Sequence, residues 1–182
     1  MSHARLIRNV GLAGLAFFIL ALPTRAGTIA ADALPLPNRV ATADAVVVGK
    51  VTAIEGKTVK AAPFPGAGNQ IEFHIAVVTV SDALRAPKGA TKIRLGFVPI
   101  PPGVAISPPP FQPAVGEEGC FFLTKQGAAD VLLAPSPLNF LNKKNANFDK
   151  DIALIKRCTK ILEDPNAALK GKSAEDRFLA AA

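Results

Sequence analysis

The chain contains no tryptophan, no tyrosine, one methionine, two cysteines and two histidines in 182 residues. Each scarcity removes a class of function. Surfaces that bind sugars or stack on bases draw on rings with a polar tip or a broad π face. Here phenylalanine, with eleven copies, supplies all of the Phe/Tyr/Trp content. That set suits core filling, so carbohydrate and nucleic-acid partners are not expected. A concentrated basic stripe is missing too. The net charge is +7, and residues 136–182 hold nine Lys/Arg against six Asp/Glu. So mild an excess reads as a solvated helix face.

Catalytic and metal-binding groups are equally scarce. His3 lies at the extreme N-terminus, which leaves His74 as the one imidazole further along. It sits beside Glu72 in a strand-like stretch, and no nucleophile elbow occurs anywhere. A structural zinc site takes four Cys/His ligands at paired spacings, whereas Cys120, Cys158 and His74 form no pair. Glu117 and Glu118 are sequence neighbours, which a strand would turn to opposite sides. Asp149-x-Asp151 lacks the glycine and later glutamate of a calcium loop and reads as helix-start charge. No catalytic residue, cofactor or metal ligand is therefore expected, and the chain is not expected to be an enzyme.

What is present begins at the N-terminus. Arg5 and Arg8 precede an apolar run from Val10 to Leu22, Pro23 breaks it, and Thr24-Arg25-Ala26 offers a small-residue cleavage site. Residues 1–26 read as a secretory signal, too short to span a bilayer, which takes about 20 apolar residues. The protein is expected to be exported, periplasmic or extracellular, with no stable membrane span once the signal is cut. Arg5, Arg8 and Arg25 leave with the signal and the net charge falls from +7 to +4. In an oxidising compartment Cys120 and Cys158 are expected to form one disulfide; the alternative is two buried thiols acting as small apolar residues.

Residues 27–38 read as a lead-in, flexible at first and stiffened by Leu34-Pro-Leu-Pro37. Ala45–Ile54 is rich in β-branched residues and predicts a strand, with Gly49 marking a bulge or close backbone approach. Ile71 to Val80 predicts a second strand with Ile71, Phe73, Ile75 and Val77 on one face, closed by a turn at Ser81-Asp82. Thr91 to Val98 predicts a third: Ile93, Leu95 and Phe97 face a core while Lys92 and Arg94 face water. Gly119–Thr124 and Asp130–Ala134 predict a hairpin around Gly127. Between strands lie two long loops, 56–70 and 99–113, the second with seven prolines. Loops of this length are often functional, and Phe64, Pro65, Ile106 and Phe111 are their candidate binding residues.

After Pro135 and Pro137 the period changes. Asn147 or Asp149 opens a helix with Phe148, Ile152, Ile155, Thr159 and Leu162 at helical spacing. Pro165 restarts the pattern and Ser173 caps a last helix. That helix runs into Phe178-Leu179-Ala180-Ala181-Ala182 without a stop signal, the pattern of a helix that continues further; docking of Phe178 and Leu179 on the helix at 148–162 is the alternative. Strands first and helices second is an α+β order.

Three segments together resemble the netrin-like module, the OB-type barrel shared with tissue inhibitors of metalloproteinases. They are Ala43-Asp44-Ala45-Val46-Val47-Val48-Gly49-Lys50-Val51, then Val77-Val78-Thr79-Val80 through Leu84 to Lys88-Gly89, then Val115-Gly116-Glu117-Glu118-Gly119-Cys120-Phe121-Phe122-Leu123. The pattern also occurs in exported bacterial proteins. The resemblance implies a small antiparallel OB-like β-barrel over residues 39–135, followed by a C-terminal helical tail over 136–182, and a barrel used for binding. The inhibitors act through a cysteine at the mature N-terminus; the end near Gly27 has none, so that mechanism does not transfer. The expected function is an exported, non-catalytic binding or interaction module whose partner is a protein or envelope component. The alternative is a structural or assembly protein of the cell envelope acting through its basic helical tail.

Overall fold

The computed structural model describes residues 34–63, 66–86, 89–105, 110–125, 131–134 and 139–181. The signal segment 1–26, most of the lead-in, the turn residues Pro87, Lys88 and Gly127, and the candidates Phe64, Pro65 and Ile106 lie outside them. The elements are α1 (Leu36–Thr42), β1 (Ala45–Ile54), β2 (Val59–Ala61), β3 (Ile71–Arg85), β4 (Lys92–Phe97), β5 (Glu118–Lys125), β6 (Leu132–Leu133), β7 (Phe140–Asn142), α2 (Phe148–Glu163), α3 (Pro165–Lys170) and α4 (Ala174–Ala181). This is an α+β fold: a mixed seven-stranded sheet followed by helices.

Sheet pairing runs β1–β3–β4–β6–β5, and β5 pairs with β1 as well as with β7; β2 pairs with β3. The wholly antiparallel arrangement expected from the sequence is corrected at one place: Leu95–Gly96 of β4 run parallel to Leu132–Leu133 of β6. The reason is topological. β6 follows β5 as its antiparallel hairpin partner, and β5 is antiparallel to β1 and β1 to β3. With β4 antiparallel to β3, β6 then meets β4 pointing the same way.

β1 shows why its apolar run does not alternate. Val46 lies opposite Phe122, and both belong to a core shared with α1 and α2. Ala45 and Val47, on the other face, join Ala76, Val78, Ile93, Leu95, Phe121 and Leu123 in a second core. A strand covered on both faces reads as continuous hydrophobicity. At Gly49 the register with β3 shifts, and an added Cβ would sit 2.6 Å from Thr79 O. Bulge and close approach thus coincide at that glycine, as its place inside the strand suggested.

β3 extends five residues beyond Val80, through the expected Ser81-Asp82 turn. Ser81 Oγ donates to Val48 O at 3.1 Å, and the pairing with β1 continues to Arg85. The extension has a use: Arg85 Nη1 donates to Val40 O at 2.7 Å and Ala41 O at 3.1 Å, capping the last carbonyls of α1. The short helix α1 was not foreseen. Pro37 at its start is compatible with a first helical turn, and Val40 is fully buried against α2 and β5.

The single core face expected for β3 and β4 divides in two. Phe73 and Ile75 pack with Ala61, Val131 and Leu133 on one side. Ile93 and Leu95 lie opposite Val78 and Ala76 on the other. Ile71 and Phe97 are half-buried, Lys92 is exposed, and Arg94 is half-buried because it pairs with Glu55. Helix α2 starts at Phe148 with Asn147 before it, as its spacing predicts, and buries Phe148, Ile155, Cys158, Thr159 and Ile161.

Candidate functional site

β4 ends at Phe97, and the next residue breaks the alternation: Val98, where a solvent-facing polar residue would be expected, is apolar and 43% exposed. Around that point the two long loops meet. The expected first loop, 56–70, is interrupted by β2; Pro63 follows that strand, and Ile71 and Phe73 start β3. Phe97, Val98, Pro110 and Phe111 come from the end of β4 and the second loop. With Leu133 and Ala134 beside β6 they line an apolar groove of about 190 Å³. Its floor is fixed by the parallel β4–β6 contact, where Gly96 lets Leu133 and Val131 approach so closely that a Cβ would lie 2.5 Å from Leu133 Cδ2.

Of the four candidate loop residues, only Phe111 can be placed. It is half-buried and its ring packs on Phe140 at 4.7 Å and, edge-on, on Phe121 at 6.1 Å between centroids. It therefore ties the second loop to the core while presenting a side to the groove. Gln112 Nε2 donates to Val98 O at 2.9 Å and pins the loop's two ends together. Phe73 is buried, as its place on an apolar strand face predicts, and Phe97 is half-buried; the sequence pattern assigns Val98 no role. The apolar residue at a polar-phase position, followed at once by prolines, was the signal available.

The groups considered for chemistry have other occupations. The His74 ring packs against Phe97 at 5.7 Å. Glu118 pairs with Lys143 at 2.6 Å, whose hydrogen bond holds its carboxyl below the usual carboxylate range. Glu117 Oε2 accepts from Ala114 N at 3.2 Å in the preceding turn. Glu55 takes a two-pronged hydrogen bond from Arg94, at 2.9 and 2.8 Å, which lowers its pKa. Asp44, in the first segment of the resemblance, accepts from Lys125 N at 2.7 Å and so fastens the start of β1 to the end of β5. Among the described residues no cluster of three or more His, Cys, Asp or Glu could hold a metal ion. Among those residues, too, no helix is long and apolar enough to cross a membrane.

The expected Cys120–Cys158 disulfide is corrected: both are buried free thiols. Cys120 points from β5 into the core under the helices and Cys158 from α2 into the same core, each packed as a small apolar residue. Burial pushes the Cys120 thiol up to about 12 and raises Cys158 as well. Thiolate, the form that exchanges, is thereby suppressed. Beside Cys120 the Arg39 guanidinium lies over the Phe122 ring at 4.1 Å, and burial lowers its pKa.

No family model matches the chain, and no curated protein matches it in sequence.

Proposed function

We propose that this is an exported, non-catalytic binding module of netrin-like, OB type, whose two long loops form its recognition surface. The observation that carries the proposal is that Pro63, from the first of these segments, and Pro110 and Phe111, from the second, line one apolar groove. Ligand surfaces are commonly loops held on a rigid scaffold, and an apolar groove is the usual receptor for an apolar group. The scaffold reading is supported by the strand pairings, a circuit of five that returns to β1, as a small OB-like barrel requires. No reaction is assigned to it, since His74 packs against Phe97, Glu117 bonds to Ala114 N, Glu118 pairs with Lys143, and the cysteines are buried.

A second reading, a structural or assembly protein of the envelope acting through its tail, is favoured by Phe178, 71% exposed on α4. Removing the tail does not separate the two readings, because Phe148, Ile155 and Cys158 belong to the core. Point variants do. Crosslinking pull-down from the native envelope is compared for Val98→Asp and Phe178→Asp. The loop reading predicts that Val98→Asp loses the partner and Phe178→Asp keeps it. The reverse result supports the tail, and a partner retained by both variants removes both readings.

A further inference from the structure

Neither α3 nor α4 contains a buried residue. α4 has eight residues, too few for a helix to persist alone in water, so its contacts must hold it. One attachment is polar. A single guanidinium on α2 gathers the first turn of α4: Arg157 Nε donates to Asp176 Oδ1, Nη1 to Glu175 Oε2, and Nη2 to Ser173 Oγ at 3.0 Å. Ser173 Oγ also accepts from Asp176 N at 3.1 Å, capping the helix. The other attachment is apolar and small. Leu179 packs on the core shared by α1, α2 and β5, and with Ala180 it forms one wall of a groove of about 110 Å³. Pro37 and Ala41 of α1 and Cys158, Ile161 and Leu162 of α2 form the others. Phe178, beside Leu179, faces solvent. α4 also packs on α3, and Arg177 Nη1 donates to Gly171 O at 2.8 Å and Lys172 O at 3.0 Å. Its tie to α2, in contrast, is largely a partly exposed charge cluster, an attachment that salt screens and that is worth little per pair.

We propose that α4 is a releasable strap. Fastened by Arg157, it closes the groove between α1 and α2 with this chain's own Leu179 and Ala180. Unfastened, it leaves as a unit and opens Cys158 and Ile161 to solvent, while the strands and α2 stay folded. The inference is independent of the loop surface and stands if the loop reading fails.

Cys158 is a built-in reporter. It lines the groove at 5% exposure, whereas Cys120, at 0%, lies on the sheet beneath the helices and serves as the control. The folded protein is labelled with a thiol reagent such as DTNB, and each cysteine is followed separately. Arg157→Gln, and the double substitution Glu175→Gln with Asp176→Asn, are each expected to speed labelling of Cys158 by about tenfold with Cys120 unreacted. Raising the salt concentration in the unsubstituted protein acts in the same direction. The sign is diagnostic for Arg157→Gln. That cation lowers the Cys158 pKa, so its loss alone would slow the thiol. The carboxylate double variant, which keeps Arg157, decides if the two variants disagree. An unchanged Cys158 rate in the double variant overturns the proposal. So does parallel acceleration of both thiols, which would make α4 part of the cooperative core.

Discussion

Cys120 and Cys158 mark two regions built in different ways. Cys120 sits in β5, where it and the following Phe121, Phe122 and Leu123 are wholly inaccessible and the strand is paired with β1 along one edge and with β6 and β7 along the other. Cys158 sits near the end of the buried stripe of α2, and beyond Ile161 the chain leaves the core: Leu162 is 42% exposed, Leu169 is 43% exposed, and neither α3 nor α4 buries a residue. The first region is held by area removed from water on both faces of one strand. The second is held by α3 and α4 packing on each other, by local caps from Asp164 and Arg177, and by Arg157 and Leu179 as ties to the rest of the fold. Stability and sensitivity to conditions should therefore divide along this line.

The strongest way to break the comparison is to truncate β5. Phe121 points into the core between the strands and Phe122 into the core beneath the helices, so Phe121→Ala and Phe122→Ala should each cost about 3–5 kcal/mol in urea unfolding. A small loss at either would mean that one face of β5 is not the packed interior described. Gly49→Ala forces a Cβ toward Thr79 O and the Val78 side chain and should cost about 1–3 kcal/mol by overpacking. Arg85→Ala removes the donor to Val40 O and Ala41 O and should cost about 1–2 kcal/mol, with helical signal lost from α1 first.

Acid sharpens the contrast. The hydrogen bond from Arg157 holds Asp176 below the ordinary aspartate pKa. A carboxyl whose folded pKa is depressed stabilises the folded form above its unfolded value and ceases to as pH falls through the folded one. NMR signals of α4 should therefore shift on acidification below the usual aspartate range before those of β1 and β5 do. Simultaneous loss would count against a separate attachment. Phe178→Ala should be the mildest change, under about 0.5 kcal/mol.

The sequence displayed the long strands and α2 because each buries enough side chains to set a period. β1 matches its β-branched run end to end, and Ser173 caps α4 as its spacing with Asp176 suggests. The short elements left no such mark. β2 and β7 have three residues each and α1 seven, and tertiary contact decides their conformation. Pro35 and Pro37 fit an extended approach as well as a helix start, and only Val40's burial and Arg85's cap distinguish them. The strand past Ser81-Asp82 was hidden for a like reason. Turn-forming residues stay extended there because Ser81 Oγ and the β1 ladder satisfy them. Of the groove, the two loops were visible but their meeting was not, since it depends on the parallel β4–β6 contact.

Native-state amide hydrogen exchange tests the division most directly. The account predicts that amides in β1, β3 and β5 exchange only through global unfolding, while those of α4 exchange through a local opening that salt or Arg157→Gln makes easier. Equal protection of α4 and β5, insensitive to both, would contradict it.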